Sequence, residues 1–284
     1  MTRVSEAIRA AAERLAATSD TARLDAELLM AHAFGISRSD LLLRTMGHTT
    51  PKRFFENIER RAACEPLAYI VGVQEFYGRD FRVTVDTLIP RADSGAIIEA
   101  ALEIKPDAGS VLDLGTGSGA LLLTFLAEAE ARAKVVGARW QAFGVGIDKS
   151  TAALGVADAN ASHLGLGHRV RLITADWTKG GWSKRLGTFD LILCNPPYVE
   201  ADAALDPQVR DYEPHSALFA GPEGLDDYRV LIPQLRALMN EGALAILEIG
   251  ANQAGAVSAL AHSAGFTSEL RRDLAGRPRA LVLR

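Results

Sequence analysis

The tetrapeptide Asn195-Pro196-Pro197-Tyr198 follows the apolar run FDLILC and combines residue types suited to activating a weak nitrogen nucleophile. In a side-chain amide or an aromatic amine the nitrogen lone pair is delocalised, so the NH2 group attacks poorly by itself. Accepting hydrogen bonds from both N–H groups shifts electron density onto the nitrogen and fixes the direction of its lone pair. The Asn195 side-chain carbonyl and the Pro196 backbone carbonyl are two such acceptors. Pro196 and Pro197 stiffen the loop, which preorganises the acceptors at small entropic cost. Tyr198 is expected to lay a flat face on a planar amide and an electron-rich one on a cation. Positioning and electrostatics then carry an in-line transfer of a methyl group from a sulfonium. No strong base is needed, because the nitrogen proton becomes acidic once the new bond forms. Asparagine suits the task better than aspartate, since a carboxylate would stabilise a cationic ground state more than a transition state in which the charge disperses. Asn-Pro-Pro also breaks strands with no further purpose, so the tetrapeptide needs partners.

The stretch Asp113-Leu114-Gly115-Thr116-Gly117-Ser118-Gly119-Ala120 is one. It lies at the predicted carboxyl end of a strand, where α/β sheets bind cofactors, and its glycines let a ligand approach the backbone. Gly115, Thr116, Gly117, Ser118 and Gly119 are the expected contacts. The same letters satisfy the dinucleotide fingerprint, so a methyltransferase turn, a nicotinamide or flavin site and a structural turn all remain open on this motif alone. Two later carboxylates narrow the choice. Asp148 ends the predicted strand FGVGID, where it can accept two ribose hydroxyls that carry no phosphate. Asp176 follows the next strand and suits an adenine edge, with the Trp177 indole against the ring face. Each is also an ordinary strand-end acid; together with the tetrapeptide they place four features at successive strand ends.

The elements that position these residues follow from periodicity. Residues 1–74 read as a small helical domain. Ala7, Ile8, Ala11 and Leu15 share one face, Leu24, Leu28, Leu29 and Ala33 another, and Gly35 is a stop. A short helix through SRSDLLLR has Ser37 or Ser39 as cap, and Thr50 caps a helix with Pro51 in its first position. Residues 75–90 are a β-hairpin linker, with FRVTV as its clearest strand. From residue 91 to 284 helix and strand alternate, with continuous apolar strands suited to a parallel sheet covered on both faces. The expected architecture is a doubly wound α/β sheet that closes with an antiparallel hairpin in SELRRDLAGRPRALVLR.

The 284 residues are 48% hydrophobic and 23% charged, ordinary for a globular protein. A net charge of −4 without a long basic run argues against a surface that coats nucleic acid. Cys64 and Cys194 are too few for a disulfide framework or a zinc site, and no metal ligand set is expected. His32 and His48 are isolated and read as surface or packing histidines. The start MTRVSEAIRAAAERLAA lacks an apolar core of signal-peptide type, and no stretch is long enough to span a bilayer. A reduced, cytoplasmic enzyme is the expectation.

PLAYIVGVQEFYG, TLIPR, DLGTGSGA, Asp148, ADW and NPPY occur in an order that resembles the release factor glutamine methyltransferase family, also called PrmC or HemK, over nearly the whole chain. NPPY alone is shared with adenine-N6 DNA and guanine-N2 RNA methyltransferases; the two upstream blocks are the specific part. The resemblance implies a seven-stranded Rossmann-like class I methyltransferase domain behind a helical substrate-recognition domain and a hairpin linker. It implies S-adenosylmethionine against Gly115 to Gly119, Asp148, Trp177 and Asn195, with S-adenosylhomocysteine as product. It implies a peptide chain release factor as partner, whose Gly-Gly-Gln glutamine enters at Asn195 to Tyr198, with no nucleic acid and no membrane. The chain departs from the pattern after IPR, where Ala92-Asp93-Ser94-Gly95 replaces a Pro-Asp-Thr-Glu-like run, and in ARAKVVGARWQA, which reads as an insertion. The rivals are a nucleic-acid methyltransferase using the same tetrapeptide, a nicotinamide-dependent dehydrogenase and a binding module without turnover.

Overall fold

A computed structural model describes residues 2–138, 140–273 and 275–284; Met1, Arg139 in the expected insertion and Leu274 in the tail lie outside the described residues. The chain forms two units. One runs from the amino terminus to Val73 and takes in Leu205–Tyr212, and the other comprises Gln74–Ala204 and Glu213–Arg284. The helical unit therefore includes a segment that the hydrophobic pattern places in the α/β part.

In the helical unit, α1 (Val4–Leu15), α2 (Ala22–Phe34), the one-turn α3 (Arg38–Asp40), α4 (Lys52–Ala62) and α5 (Leu67–Val71) enclose a core of Ile8, Leu15, Leu29, Met30, Phe54 and Ile58. The expected face of α1 is buried, and Gly35 closes α2 in the left-handed conformation. In α2 the face is rotated from expectation: Leu24 is exposed, while Asp25 is buried and pairs with Arg61 at 2.7 Å. The Ser19 and Thr21 hydroxyls also donate to Asp25, so the buried ion pair has the extra hydrogen bonds it requires. Ser37 caps α3 by accepting from the Asp40 N–H. The expected cap of α4 shifts by one residue: Pro51 is the N-cap, because the Thr50 N–H and hydroxyl both donate to Thr2 O.

The hairpin is β1 (Val73–Phe76) and β2 (Arg79–Arg82), joined by Tyr77 and Gly78, both with positive φ as a tight two-residue turn requires. The strand expected in FRVTV stops at Arg82, because Thr87 folds back and its N–H and hydroxyl both donate to Thr84 O. Beyond it come α6 (Gly95–Ile104), β3 (Ser110–Leu114), α7 (Ala120–Val135), β4 (Phe143–Asp148), α8 (Thr151–His163), β5 (Val170–Thr174), β6 (Phe189–Cys194), the short α9 (Pro207–Arg210) of the helical unit, α10 (Asp226–Leu235), β7 (Met239–Glu248), α11 (Ala254–Ser263), β8 (Ser268–Arg272) and β9 (Pro278–Leu283). The first residues of the expected insertion simply lengthen α7.

Seven strands form one sheet in the order β5-β4-β3-β6-β7-β9-β8, with β9 antiparallel to both its neighbours and the other pairings parallel. Successive residues of each apolar strand enter opposite cores. Val111, Leu191, Leu193 and Ile246 pack on the side of α6 and α7, whereas Leu112, Ile192, Ala245 and Leu247 pack on the side of α10 and α11. The strand order reverses at β3, so Leu114, Asp148, Thr174, Cys194 and Glu248 end five parallel strands at one edge beside a topological switch point. Among the described residues no helix is long and apolar enough to cross a membrane.

Candidate active site

The turn after β3 is held by its backbone. The Gly115 and Thr116 N–H groups donate to Ile147 O at 3.0 and 2.8 Å, and the Gly119 N–H donates to Thr116 O at 2.7 Å. Gly117 and Gly119 have φ of +53° and +83°, which side-chain-bearing residues rarely adopt. A Cβ on Gly119 would meet Leu123 Cδ1 at 2.9 Å, whereas one on Gly117 would enter open space. Under the turn the Thr116 hydroxyl donates to Asp113 Oδ2 at 2.7 Å. Burial pushes the Asp113 carboxyl up to about 7, against the pull of that hydrogen bond and of the Leu122 N–H, and its Oδ1 accepts no bond of good geometry among the described residues.

Asp148 stands across from the turn, its Oδ2 accepting from the Gly117 N–H at 3.0 Å and its Oδ1 from the Ser150 N–H at 2.8 Å. A carboxylate has about four lone-pair positions, so two remain for ligand hydroxyls. Asp176 Oδ1 takes both the N–H and the hydroxyl of Thr178, and these bonds hold its carboxyl below the usual range. The Trp177 indole lies over the turn, so close that a Cβ on Gly115 would come within 3.1 Å of it. Its Nε1–H donates to Asp227 Oδ1 at 2.8 Å. Burial raises the Asp227 carboxyl, and the indole bond opposes that rise.

At the tip of β6, Asn195 Nδ2 lies 3.5 Å from Ser94 Oγ. Tyr198 is partly buried, and its hydroxyl donates to Glu248 Oε1 at 3.1 Å. Burial, the Glu248 charge and this bond all raise its pKa, so it is no base.

Ser94, Gly115, Thr116, Gly117, Ser118, Asp148, Asp176, Trp177, Asn195 and Pro197 line one cleft that opens to solvent. Gly119, Pro196 and Tyr198 are not among the residues that line it. The far wall is built from Thr87, Leu88, Pro90 and Arg91 on one segment and Pro214, Ser216 and Ala217 on another. Glu213, itself buried, ties the two by accepting from the Ile89 N–H and pairing with Arg91. Sequence reasoning missed Ser94, Asp227 and Glu248. Glu248 ends ALAILE as Asp148 ends FGVGID, so its signal was present; Asp227 opens a helix and gave none.

Residues 6–72 match a family described as the PrmC N-terminal domain, and residues 105–254 one described as a methyltransferase domain. The chain is 43% identical to the release factor glutamine methyltransferase of Cereibacter sphaeroides, over 99% of this chain and 98% of that protein. It is 40% identical to the protein of the same name from Moorella thermoacetica, over 98% and 96% of the two chains. For the one from Caulobacter vibrioides identity is 37% over 93% and 89%. With likeness at this level running almost end to end, the chain belongs to the release factor glutamine methyltransferase family.

Proposed function

We propose that this chain methylates the side-chain amide nitrogen of the glutamine in the Gly-Gly-Gln motif of peptide chain release factors, with S-adenosylmethionine as donor. The donor supplies an electrophilic methyl carbon on a sulfonium cation. The residues around the turn fit it. Gly117 leaves room for a ligand at the backbone, Asp148 keeps lone pairs for ribose hydroxyls, and Asp176 and Trp177 offer an acceptor and a ring for adenine. Asp148, Asp176 and Asp227 outnumber Lys149 at this end of the cleft, and the acidic balance suits a cationic ligand better than a pyrophosphate.

Asn195 carries the reading. Its amide nitrogen is turned toward Ser94, so its carbonyl oxygen is left to the cleft as an acceptor for one glutamine N–H. The second acceptor is the Pro196 backbone carbonyl, which lies between Asn195 and Pro197, both of them lining the cleft. Together they hold the NH2 plane and raise the electron density on nitrogen. As the N–C bond forms and the S–C bond breaks, the nitrogen becomes acidic and releases one proton to water in the open cleft. Tyr198 is not among the lining residues and acts through Glu248, rather than as the ring expected beneath the amide.

The test is incubation of the purified chain with donor and, separately, a release factor, DNA and ribosomal RNA. Mass spectrometry of the Gly-Gly-Gln tryptic peptide is expected to show one added methyl group. Labelling of nucleic acid alone would overturn the substrate reading.

A further inference from the structure

Asn195 can accept from a substrate amide only if its oxygen, and not its nitrogen, faces the cleft. The two ends of the side chain have nearly the same shape, so hydrogen-bond partners decide. Beside Asn195 runs a chain of three side chains, Ser94, Glu248 and Tyr198, of which Ser94 also lines the cleft. Ser94 is 4% exposed and Glu248, the last residue of β7, 1%. Glu248 Oε1 accepts from the Tyr198 hydroxyl at 3.1 Å. The Ser94 hydroxyl lies close enough to the same carboxyl group to counter the effect of burial without making a hydrogen bond of good geometry to it, and Oε2 accepts none among the described residues. The carboxyl is thus short of donors, and the Ser94 proton is within its reach.

We infer that Glu248 and Ser94 are positioning residues that decide which end of the Asn195 amide meets the glutamine, an inference that rests on the reading of Asn195 as acceptor. A carboxylate only accepts. Tyr198 and Ser94 must therefore both turn their protons to Glu248. Ser94 has one proton, and once that is committed its oxygen offers Asn195 only lone pairs. Asn195 must then present its NH2 group to Ser94 and leave Oδ1 to the substrate. Giving the 248 side chain a proton to donate reverses every step: Ser94 accepts from it, donates to Asn195 Oδ1, and the Asn195 NH2 faces the glutamine NH2, donor against donor.

The direction of the acid dependence follows. Burial raises the Glu248 carboxyl, with Asp93 adding to the rise, while Ser94, Tyr198 and Arg279 pull it down. Cys194 on β6 and Tyr228 on α10 also face it, the Tyr228 hydroxyl donating to Glu248 O. Protonation of Glu248 therefore switches turnover off as pH falls, at a pH above the ordinary carboxylate range.

The experiment compares the full-length wild type with Ser94→Ala, Ser94→Thr and Glu248→Gln for release factor methylation across pH, with melting temperatures measured in parallel. Ser94→Ala and Glu248→Gln are expected to lower kcat by about tenfold or more while KM for S-adenosylmethionine stays within about twofold. Ser94→Thr keeps the hydroxyl and is expected to stay within about threefold of wild type. The acid limb of the kcat profile is expected to vanish in Glu248→Gln; if that variant does not fold, the Ser94 pair alone decides. A wild-type kcat in Ser94→Ala, or an equal loss in Ser94→Ala and Ser94→Thr, overturns the inference while wild-type turnover keeps the functional reading. No transfer by the wild type would overturn both.

Discussion

The two working walls of the cleft are fixed by different kinds of bond. At the glycine turn the N–H groups of Gly115, Thr116 and Gly119 go to backbone oxygens, and only Gly117 reaches a side chain, Asp148. At the β6 tip Asn195 meets Ser94 and Tyr198 meets Glu248, so orientation passes from one side chain to the next. A backbone wall keeps its shape whatever the neighbouring protonation. A side-chain wall also stores a polarity, which a single proton can invert. Donor binding should therefore respond to changes of shape, and the chemical step to changes of hydrogen-bond sense.

The largest expected effect lies on the side-chain wall. Asn195→Ala removes one preorganised acceptor and should lower kcat by about 10²–10³-fold, or roughly 2.7–4 kcal/mol of barrier, as loss of one such polar group does elsewhere. KM for S-adenosylmethionine should hardly move, and the melting temperature should stay near wild type. Initial rates on a release factor check this, and near-wild-type turnover would contradict the amide-positioning role.

Next in size is a pH effect beneath the backbone wall. Asp113 rises to about 7 from an ordinary value of 3.8, so between these values the folded protein holds a proton that the unfolded chain has lost. Stability must then fall as pH rises through that window, by roughly 2–3 kcal/mol between pH 5 and 7 at about 1.36 kcal/mol per unit. Denaturant titrations should show this slope in the wild type and a flatter one in Asp113→Asn. Equal slopes would show that Asp113 is ionised throughout.

The two walls also differ in how far they could be read from sequence. The glycine turn, Asp148, Asp176 and the β6 tetrapeptide were visible because each ends an apolar strand, and parallel strands bring such ends to one edge. The direction of Tyr198 was not, since it depends on a carboxylate 50 residues away. Ser94 lies about twice as far off in the other direction, 101 residues from Asn195. Near the amino end, LAYIV has the β-branched and aromatic content of a strand but forms α5, because Pro66 caps it and Gly72 ends it in the left-handed conformation. The rotation of α2 followed from Asp25 finding Arg61, a pairing across 36 residues that no periodicity carries. Local geometry was legible; the partners of buried polar groups were not.

A third prediction separates shape from occupancy within the backbone wall. Gly117→Ala and Gly119→Ala each place a side chain at a left-handed φ, which costs about 1–2 kcal/mol, and Gly119→Ala alone adds a Cβ 2.9 Å from Leu123 Cδ1. Gly117→Ala has open space around its Cβ. Thermal melts should place it closer to wild type, while calorimetry should show weaker S-adenosylmethionine binding because that space belongs to the ligand. A lower melting temperature for Gly117→Ala than for Gly119→Ala would contradict this.

The smallest effect gives the sharpest division between the walls. Trp177→Phe keeps an aromatic ring near Gly115 but removes the N–H that Asp227 Oδ1 accepts at 2.8 Å. Asp227 is only half-buried and can turn to water, so the ring loses a tether rather than a ligand contact, and its looser positioning should weaken donor affinity by at most about 1 kcal/mol, roughly fivefold. Trp177 and Asp227 both line the donor end of the cleft and neither belongs to the Asn195 chain. KM for S-adenosylmethionine should therefore rise by up to that factor with kcat unchanged, the pattern of an interaction made equally in ground and transition states. A fall in kcat at saturating donor would mean that the indole also positions the methyl group, and the division of labour between the two walls would then be wrong.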